Sequence, residues 1–80
     1  MKITLKCFSH VKYALDRDEM TLDLADGSTA ADLESRVREL APEALADVPL
    51  RAAVNRKFVA ADHPLADGDE AALIPPVQGG

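Results

Sequence analysis

The chain has 80 residues with a formal net charge of −5, and 48% of its residues are apolar while only 4% are aromatic. This length allows a single domain with a small core. An acidic surface repels nucleic-acid phosphates and favours protein partners with basic docking surfaces, so we expect no direct binding of nucleic acid.

Cysteine content and hydropathy favour the cytoplasm. Cys7 is the only cysteine, which excludes an intramolecular disulfide and implies no oxidising compartment. The segment from Met1 to Lys6 alternates charged and apolar side chains, unlike the continuous apolar run of a signal peptide. Since no segment reaches the ~20 apolar residues of a membrane-spanning helix, we expect a soluble cytoplasmic protein that binds no membrane.

Two strands are predicted in the first third of the chain. Residues 2–8 and 20–24 alternate between apolar and polar side chains, which is the pattern of half-buried strands. The residues predicted to face inward are Ile3, Leu5, Cys7, Met20, Leu22 and Leu24. Residues 9–18 are mixed and polar, and they predict a loop or a wide hairpin. Asp26-Gly27 predicts a turn after the second strand.

A helix is predicted to begin at Thr29. Thr29 and Asp32 have the spacing of a capping box, and apolar residues follow at helical spacing. The residues of this apolar face are Ala30, Leu33, Val37 and Leu40. We expect Pro42 to end the helix and one short helical turn to follow within residues 43–48.

The remainder of the chain predicts three short strands and the turns between them. The strands are expected at residues 50–54, 58–60 and 70–74. Asn55-Arg56 and Asp67-Gly68-Asp69 predict turns. The predicted order is therefore β-β-α-β-β-β, in which one helix covers a mixed sheet in an α+β arrangement. We expect the last strand to pair with the first, because both are strongly apolar on one face.

The final six residues combine a stiff segment with minimal side chains. Pro75-Pro76 cannot donate backbone hydrogen bonds and holds φ near −65°, so it ends the last strand and begins an extended segment. Val77 to Gly80 adds a reach of roughly 13 Å at ~3.3 Å per residue. The terminal glycine pair could enter a narrow channel in another protein, because glycine has no side chain; a frayed terminus without function is the alternative. We expect a domain over residues 1–76 and a flexible tail over residues 77–80.

Four segments of the second half form a recognisable combination. They are Ala52-Ala53-Val54-Asn55, Asp62-His63-Pro64-Leu65, Asp67-Gly68-Asp69-Glu70 and the Pro-Pro-Val-x-Gly-Gly ending at residues 75–80. Together they resemble the small subunit of molybdopterin synthase, a sulfur-carrier family. The resemblance implies a β-grasp, ubiquitin-like fold with a mixed sheet of about five strands on one main helix. Two positions depart from the family: Leu73-Ile74 replaces a frequent aromatic pair, and Lys12 stands where arginine is frequent.

The resemblance implies that Gly80 carries sulfur. A free carboxylate is a poor electrophile, so an adenylating, E1-like partner enzyme would first activate Gly80 with ATP. A sulfur donor such as a rhodanese or a cysteine desulfurase would then leave a C-terminal thiocarboxylate, which is the nucleophile to be delivered. In this family the large subunit of molybdopterin synthase, joined to the small subunit in a heterotetramer, installs the sulfur on a pterin precursor of the molybdenum cofactor. The chain would be a non-catalytic carrier without a permanently bound cofactor, and its covalent load would be the sulfur at Gly80.

Two groups of site residues follow from this resemblance and from the strand pattern. Phe8, Phe58 and Ile74 are expected to form an apolar docking patch beside the tail, with Lys12 as a further partner contact. The reactive tail comprises Pro75, Pro76, Val77, Gln78, Gly79 and Gly80. The alternative for Phe8 and Phe58 is that a ring closes a secondary apolar cluster under a loop.

Metal binding and cysteine chemistry are not favoured. His10, His63 and Cys7 match no zinc spacing, and residues 67–70 lack the full ligand loop of a calcium site. We therefore expect no metal site. Cys7 falls in the inward phase of its strand, so we expect a small buried side chain without nucleophilic reactivity.

Other functions remain open within the same fold. The chain could carry sulfur for thiamine, cysteine or tRNA thiolation, or it could be a ubiquitin-like modifier attached through Gly80 to lysines of other proteins. A binding domain with an inert tail is a further alternative. The length of the chain and its Pro-Pro-Val ending favour the pterin route.

Overall fold

A computed structural model describes residues 1–76 of the chain. The predicted tail, Val77 to Gly80, and the domain boundary before it lie outside the described residues. Eight elements follow one another along the described chain: β1 Lys2–Lys6, α1 Ser9–Leu15, β2 Glu19–Asp23, α2 Ala30–Leu40, α3 Pro42–Leu45, β3 Arg51–Val54, β4 Lys57–Phe58 and β5 Glu70–Ile74.

The five strands form one mixed sheet in the order β2-β1-β5-β3-β4. β1 and β5 are parallel neighbours, with Leu5 opposite Ala71, which confirms the predicted pairing of the first and last strands. The other three pairings, β1 with β2 and β3 with both β5 and β4, are antiparallel. The sheet wraps one main helix, α2, and this arrangement is the expected β-grasp, ubiquitin-like fold.

The core lies between the sheet and α2. The inward residues of the strands are fully buried at Ile3, Leu5 and Leu73, and they pack in one cluster with Leu33 and Val37 of the helix. Burying each such side chain stabilises the fold by roughly 1.5–3 kcal/mol before entropy costs are counted. The predicted inward faces are therefore confirmed in this layer.

Leu40 was predicted to share the apolar face of α2, and this prediction is wrong. The side chain is 43% exposed. Leu40 is the last residue of the helix, and the chain turns at Ala41 into α3, so its side chain is left in solvent.

The segment between β1 and β2 is a helix, so the predicted loop is also wrong. Val11 of α1 is fully buried, and Ala14 and Leu15 pack partly buried against the same core. These three residues have the i, i+3, i+4 spacing of one helix face, which the polar residues around them obscure. Asp16 ends α1 in the left-handed region at φ 54°, with its N–H bonded to the carbonyl of Lys12.

Two of the recognised segments hold the fold together. In the first, the loop at residues 61–65 receives the N–H groups that begin α2: Ala30 N–H donates to the His63 carbonyl, and Ala31 N–H donates to the Ala61 carbonyl, both at 2.9 Å. The capping box is confirmed as well, because the Asp32 carboxylate accepts from Thr29 N–H at 2.9 Å. Donors that are otherwise unsatisfied at a helix start are thus bonded.

The second of these segments, Asp67 to Glu70, forms the turn before β5 and is hydrogen-bonded to two other parts of the sheet. The Asn55 side chain donates to Asp69 Oδ1 and accepts from Glu70 N–H, both at 3.0 Å. Lys2 N–H donates to Asp67 Oδ1 at 2.7 Å. These acidic side chains are therefore used as turn acceptors.

None of the helices in residues 1–76 has the length and apolar character needed to cross a bilayer.

Candidate functional site

The face of the sheet opposite α2 carries a continuous row of side chains across all five strands. Neighbouring residues along this row are Glu19, Lys6, Ala72, Ala53 and Phe58, in the order of the strands. The two central residues are alanines and lie outside the main core cluster. Because the larger side chains of Lys6 and Phe58 stand on either side of Ala72 and Ala53, a depression forms over the two alanines. We call this depression the outer hollow.

The outer hollow brings together all four predicted partner contacts. Phe8, Phe58, Ile74 and Lys12 line one concavity of about 850 Å³, with Ala53 and Ala72 among its other lining residues. Phe8 is 50% exposed and Phe58 is 53% exposed, so neither ring closes a buried cluster beneath a loop. The geometry is that of an open apolar depression, and its role in partner binding stays a prediction.

The predicted reactive tail begins beside this depression. Ile74 is the last residue of β5 and lines the outer hollow. Pro75 follows half-buried and Pro76 is exposed, and neither belongs to a strand. The remaining tail residues, Val77, Gln78, Gly79 and Gly80, lie outside the described residues.

Two ion pairs lie among the charged residues at the edge of the outer hollow, which we call its rim. Lys6 Nζ bonds to the Glu19 carboxylate, and this hydrogen bond raises the pKa of Lys6 above its ordinary value. Lys12 Nζ lies 2.9 Å from Asp18 Oδ1; their hydrogen bond raises the pKa of Lys12 and lowers the pKa of Asp18. These shifts favour the charged forms of Lys6, Lys12 and Asp18, and each lysine has a carboxylate partner within the same pair. Such exposed pairs contribute little to stability.

Several residues of the outer hollow were not predicted. The guanidinium of Arg51 lies 4.4 Å from the centre of the Phe58 ring, a cation–π contact that orients both side chains. Tyr13 lines the depression and is 84% exposed on α1; it was missed because α1 was predicted as a loop. The alanine doublets at 52–53 and 71–72 were the available signal for the depression itself, since one alanine of each pair must face outward in a strand.

Cys7 is buried at the outer hollow, and its burial confirms the prediction from the strand pattern. Its side chain is 3% exposed, and burial raises the pKa of the thiol. A thiol that stays protonated at neutral pH is a weak nucleophile. Within the described 76 residues, no group of three His, Cys, Asp or Glu side chains is arranged to hold a metal ion.

Sequence comparison places the chain in a family. A model described as the ThiS family matches residues 6–80. The chain belongs to the ThiS family. A curated relative, the molybdopterin synthase sulfur carrier subunit of Escherichia coli (strain K12), is 62% identical over 37 residues, which are 46% of this chain and 46% of the relative. The match thus spans about half the length of that relative.

Solved structures share the fold of this ThiS family member. The small archaeal modifier protein 1 of Haloferax volcanii has a TM-score of 0.82 at 23% identity, covering 95% of this chain and 98% of that one. A chain from the complex of subunits 1 and 2 of the molybdopterin-converting factor of Helicobacter pylori has a TM-score of 0.66 at 24% identity, with both chains fully covered. At these identities the likeness shows the β-grasp fold.

Proposed function

We propose that this chain is a sulfur carrier and the small subunit of a molybdopterin synthase. The observation that carries the proposal is the family match over residues 6–80. It is supported by the 62% identity, over 37 residues, to a relative named as the sulfur carrier subunit of that enzyme. The family assignment supports sulfur carriage, and the local identity favours the pterin route over thiamine, cysteine or tRNA thiolation.

The proposed chemistry takes place at Gly80. An activating enzyme uses ATP to convert the carboxylate of Gly80 into an acyl adenylate, because the free carboxylate is a poor electrophile. A sulfur donor then displaces AMP and leaves a thiocarboxylate, whose sulfur is a good nucleophile. The fold supports this role because β5 lies between β1 and β3 in the sheet. This position fixes Pro75-Pro76 next to the outer hollow, and Pro76 is exposed.

The proposed partner is the large subunit of molybdopterin synthase. The Helicobacter pylori structure holds subunits 1 and 2 of a molybdopterin-converting factor in one complex, which supports a two-subunit assembly for this chain as well. The outer hollow is the proposed docking surface, because Phe8, Phe58 and Ile74 expose apolar area there beside the start of the tail. The same face would meet the activating enzyme, since both partners must reach Gly80.

A second candidate is a protein modifier, supported by the full-length likeness to the small archaeal modifier protein 1 of Haloferax volcanii. Adenylation of Gly80 is shared by both functions, and they differ in what attacks the adenylate. A sulfur donor yields a carrier, whereas a lysine amine yields a conjugate.

Intact mass spectrometry distinguishes these functions. We expect the chain, co-expressed with its activating enzyme and sulfur donor, to gain the mass of one oxygen-to-sulfur exchange at Gly80. Deleting Gly80 should abolish this gain and molybdopterin synthesis, with thermal unfolding unchanged as the control. A ladder of heavier conjugates would instead identify a modifier. Normal cofactor production by a chain extended beyond Gly80 would contradict the carrier function.

A further inference from the structure

The cations of the chain fall into two groups. Five of its nine Lys and Arg residues form ion pairs within 4.0 Å: Lys2, Lys6, Lys12, Arg36 and Arg38. In the part of the chain that the structure describes, the other four have no carboxylate at that distance. One is Arg17, and the remaining three, Arg51, Arg56 and Lys57, belong to the β3–β4 hairpin. The uncompensated positive charge is thus concentrated in one hairpin of an acidic protein.

Two of these hairpin cations, Arg51 and Arg56, border the outer hollow, and both precede Phe58 in the sequence. Arg51 stands opposite Ile74 on the neighbouring strand, and its guanidinium lies over the Phe58 ring. Arg56 is at the turn before β4 and lines the depression directly. Stacking on the ring orients the Arg51 guanidinium in advance, so less conformational entropy is lost when its N–H groups bind a ligand.

The charge at the rim therefore differs from the charge of the whole chain. The Lys6–Glu19 and Lys12–Asp18 pairs cancel, which leaves Arg51 and Arg56 facing one further lining carboxylate, Glu70. Glu70 forms no ion pair within 4.0 Å among residues 1–76. The charges of the lining residues balance, and Arg51 beside Phe58 adds one positive charge to them, whereas the whole chain carries −5. Net charge steers partners at long range, but within the ~8 Å screening length at physiological salt the local charges decide which groups can meet.

We propose that Arg51 and Arg56 select the large subunit of molybdopterin synthase by binding a carboxylate that borders an apolar side chain inserted over Ala53 and Ala72. This inference rests on the proposed function and names the chemistry of the partner surface. The alanines at the bottom of the depression leave space for the partner's apolar side chain, and the adjacent guanidinium groups complement the charge of the partner's carboxylate. Arginine suits this role because its planar donors bind both oxygens of a carboxylate.

Selectivity arises from the penalty for a wrong partner. Arginine does not lose its charge in proteins. A partner that covered the outer hollow without offering an acceptor would leave one or two guanidinium groups desolvated and unpaired, which opposes binding. The two arginines would therefore reject proteins that match only the apolar depression.

Calorimetric titration of the isolated large subunit with this chain tests the inference. We expect the double variant Arg51→Gln/Arg56→Gln to bind at least about tenfold more weakly, through faster dissociation, because a close interfacial charge pair is removed. Arg17→Gln is the control: it makes the same chemical change outside the outer hollow and removes one positive charge where the double variant removes two, and it should change affinity less than about twofold. Both proteins should unfold at the wild-type temperature, since all three arginines are exposed.

The outcomes separate the inference from the function on which it rests. If wild type binds and the double variant binds equally well, or loses no more than Arg17→Gln, the role of the arginines is overturned and the carrier function stands. If wild type itself does not bind the large subunit, the proposed partner is wrong and the inference falls with it. Affinity of wild type should also decrease more steeply with salt than that of the double variant.

Discussion

Phe58 is a large apolar residue that lies outside the core, where it is available for the proposed docking. Its ring is half-exposed, lies outside the core cluster and contacts the guanidinium of Arg51. It stands at the end of a row whose centre, Ala53 and Ala72, is only 8% exposed despite facing outward. Small side chains at the centre and a large one at the edge create the depression, so the proposed docking and the folding of the domain should depend on different residues here.

Phe58→Asp should therefore weaken partner binding while leaving the domain folded. A carboxylate at this position removes the apolar ring from the docking surface and stands beside Arg51, whose guanidinium it would pair with in place of the partner, so both contacts to the partner are lost. Affinity for the activating enzyme and for the large subunit should fall together, as measured by titration with each. Leu40→Asp is the control, because it charges an exposed leucine on α2, which packs on the opposite face of the sheet. Unfolding of the isolated Phe58→Asp domain, or undiminished binding to both partners, would refute the docking role.

Cys7 makes a prediction about pH. Burial raises the pKa of its thiol above the ordinary value of 9.0, so the unfolded chain releases this proton at lower pH than the folded protein. Stability from this group is complete below pH 9.0 and is lost as pH rises towards the folded pKa. The free energy of unfolding of wild type should therefore fall relative to Cys7→Ala between pH 8 and pH 10, measured by urea denaturation. Parallel pH profiles for the two proteins would show that the thiol pKa is not raised.

At the scale of elements, a helix or strand could be predicted from the sequence when enough of its residues followed the characteristic apolar spacing. β1, β5 and α2 were predictable because alternation or helical spacing runs over several consecutive positions in each. α1 was missed because a helix of seven residues shows only one turn of apolar spacing, and its buried Val11 is flanked by polar residues. Leu40 was misplaced for a related reason: spacing predicts a face, but it does not show where neighbouring elements stop covering that face.

The leucines of α2 test this distinction. Leu33→Ala should destabilise the domain by about 2–5 kcal/mol, because it removes a fully buried side chain from the helix–sheet interface. Leu40→Ala makes the same chemical change on the same helix at an exposed position, and it should cost less than about 0.5 kcal/mol. Denaturant titrations of both variants measure the difference. Equal losses would mean that the interface does not depend on the position of the leucine along α2.

At the scale of the whole molecule, the sheet order explains both the site and its limited predictability. Spatially central β1 and β5 come from opposite ends of the described chain, and the row across the outer hollow uses one residue from each of five strands. Phe58 and Ile74 were proposed for a patch through the family resemblance, and Phe8 was added because the strand pattern places it on the outward face. Their common concavity, the Arg51–Phe58 contact and the alanine floor depend on strand register, which no local pattern specifies.

This sheet order predicts a gradient of local stability that amide hydrogen exchange can measure. β1 and β5 each have two strand neighbours and their inward side chains are buried, so their amides should exchange only when the whole domain unfolds. β4 has two residues, pairs with β3 alone and is exposed, so its amides should exchange through local opening at a much lower free energy. Docking of the large subunit at the outer hollow should slow exchange in β4 far more than in β1, because β1 already exchanges at the global limit. Equal protection of β4 and β1 in the free protein would contradict the gradient, and unchanged exchange in β4 on binding would place the partner on another face.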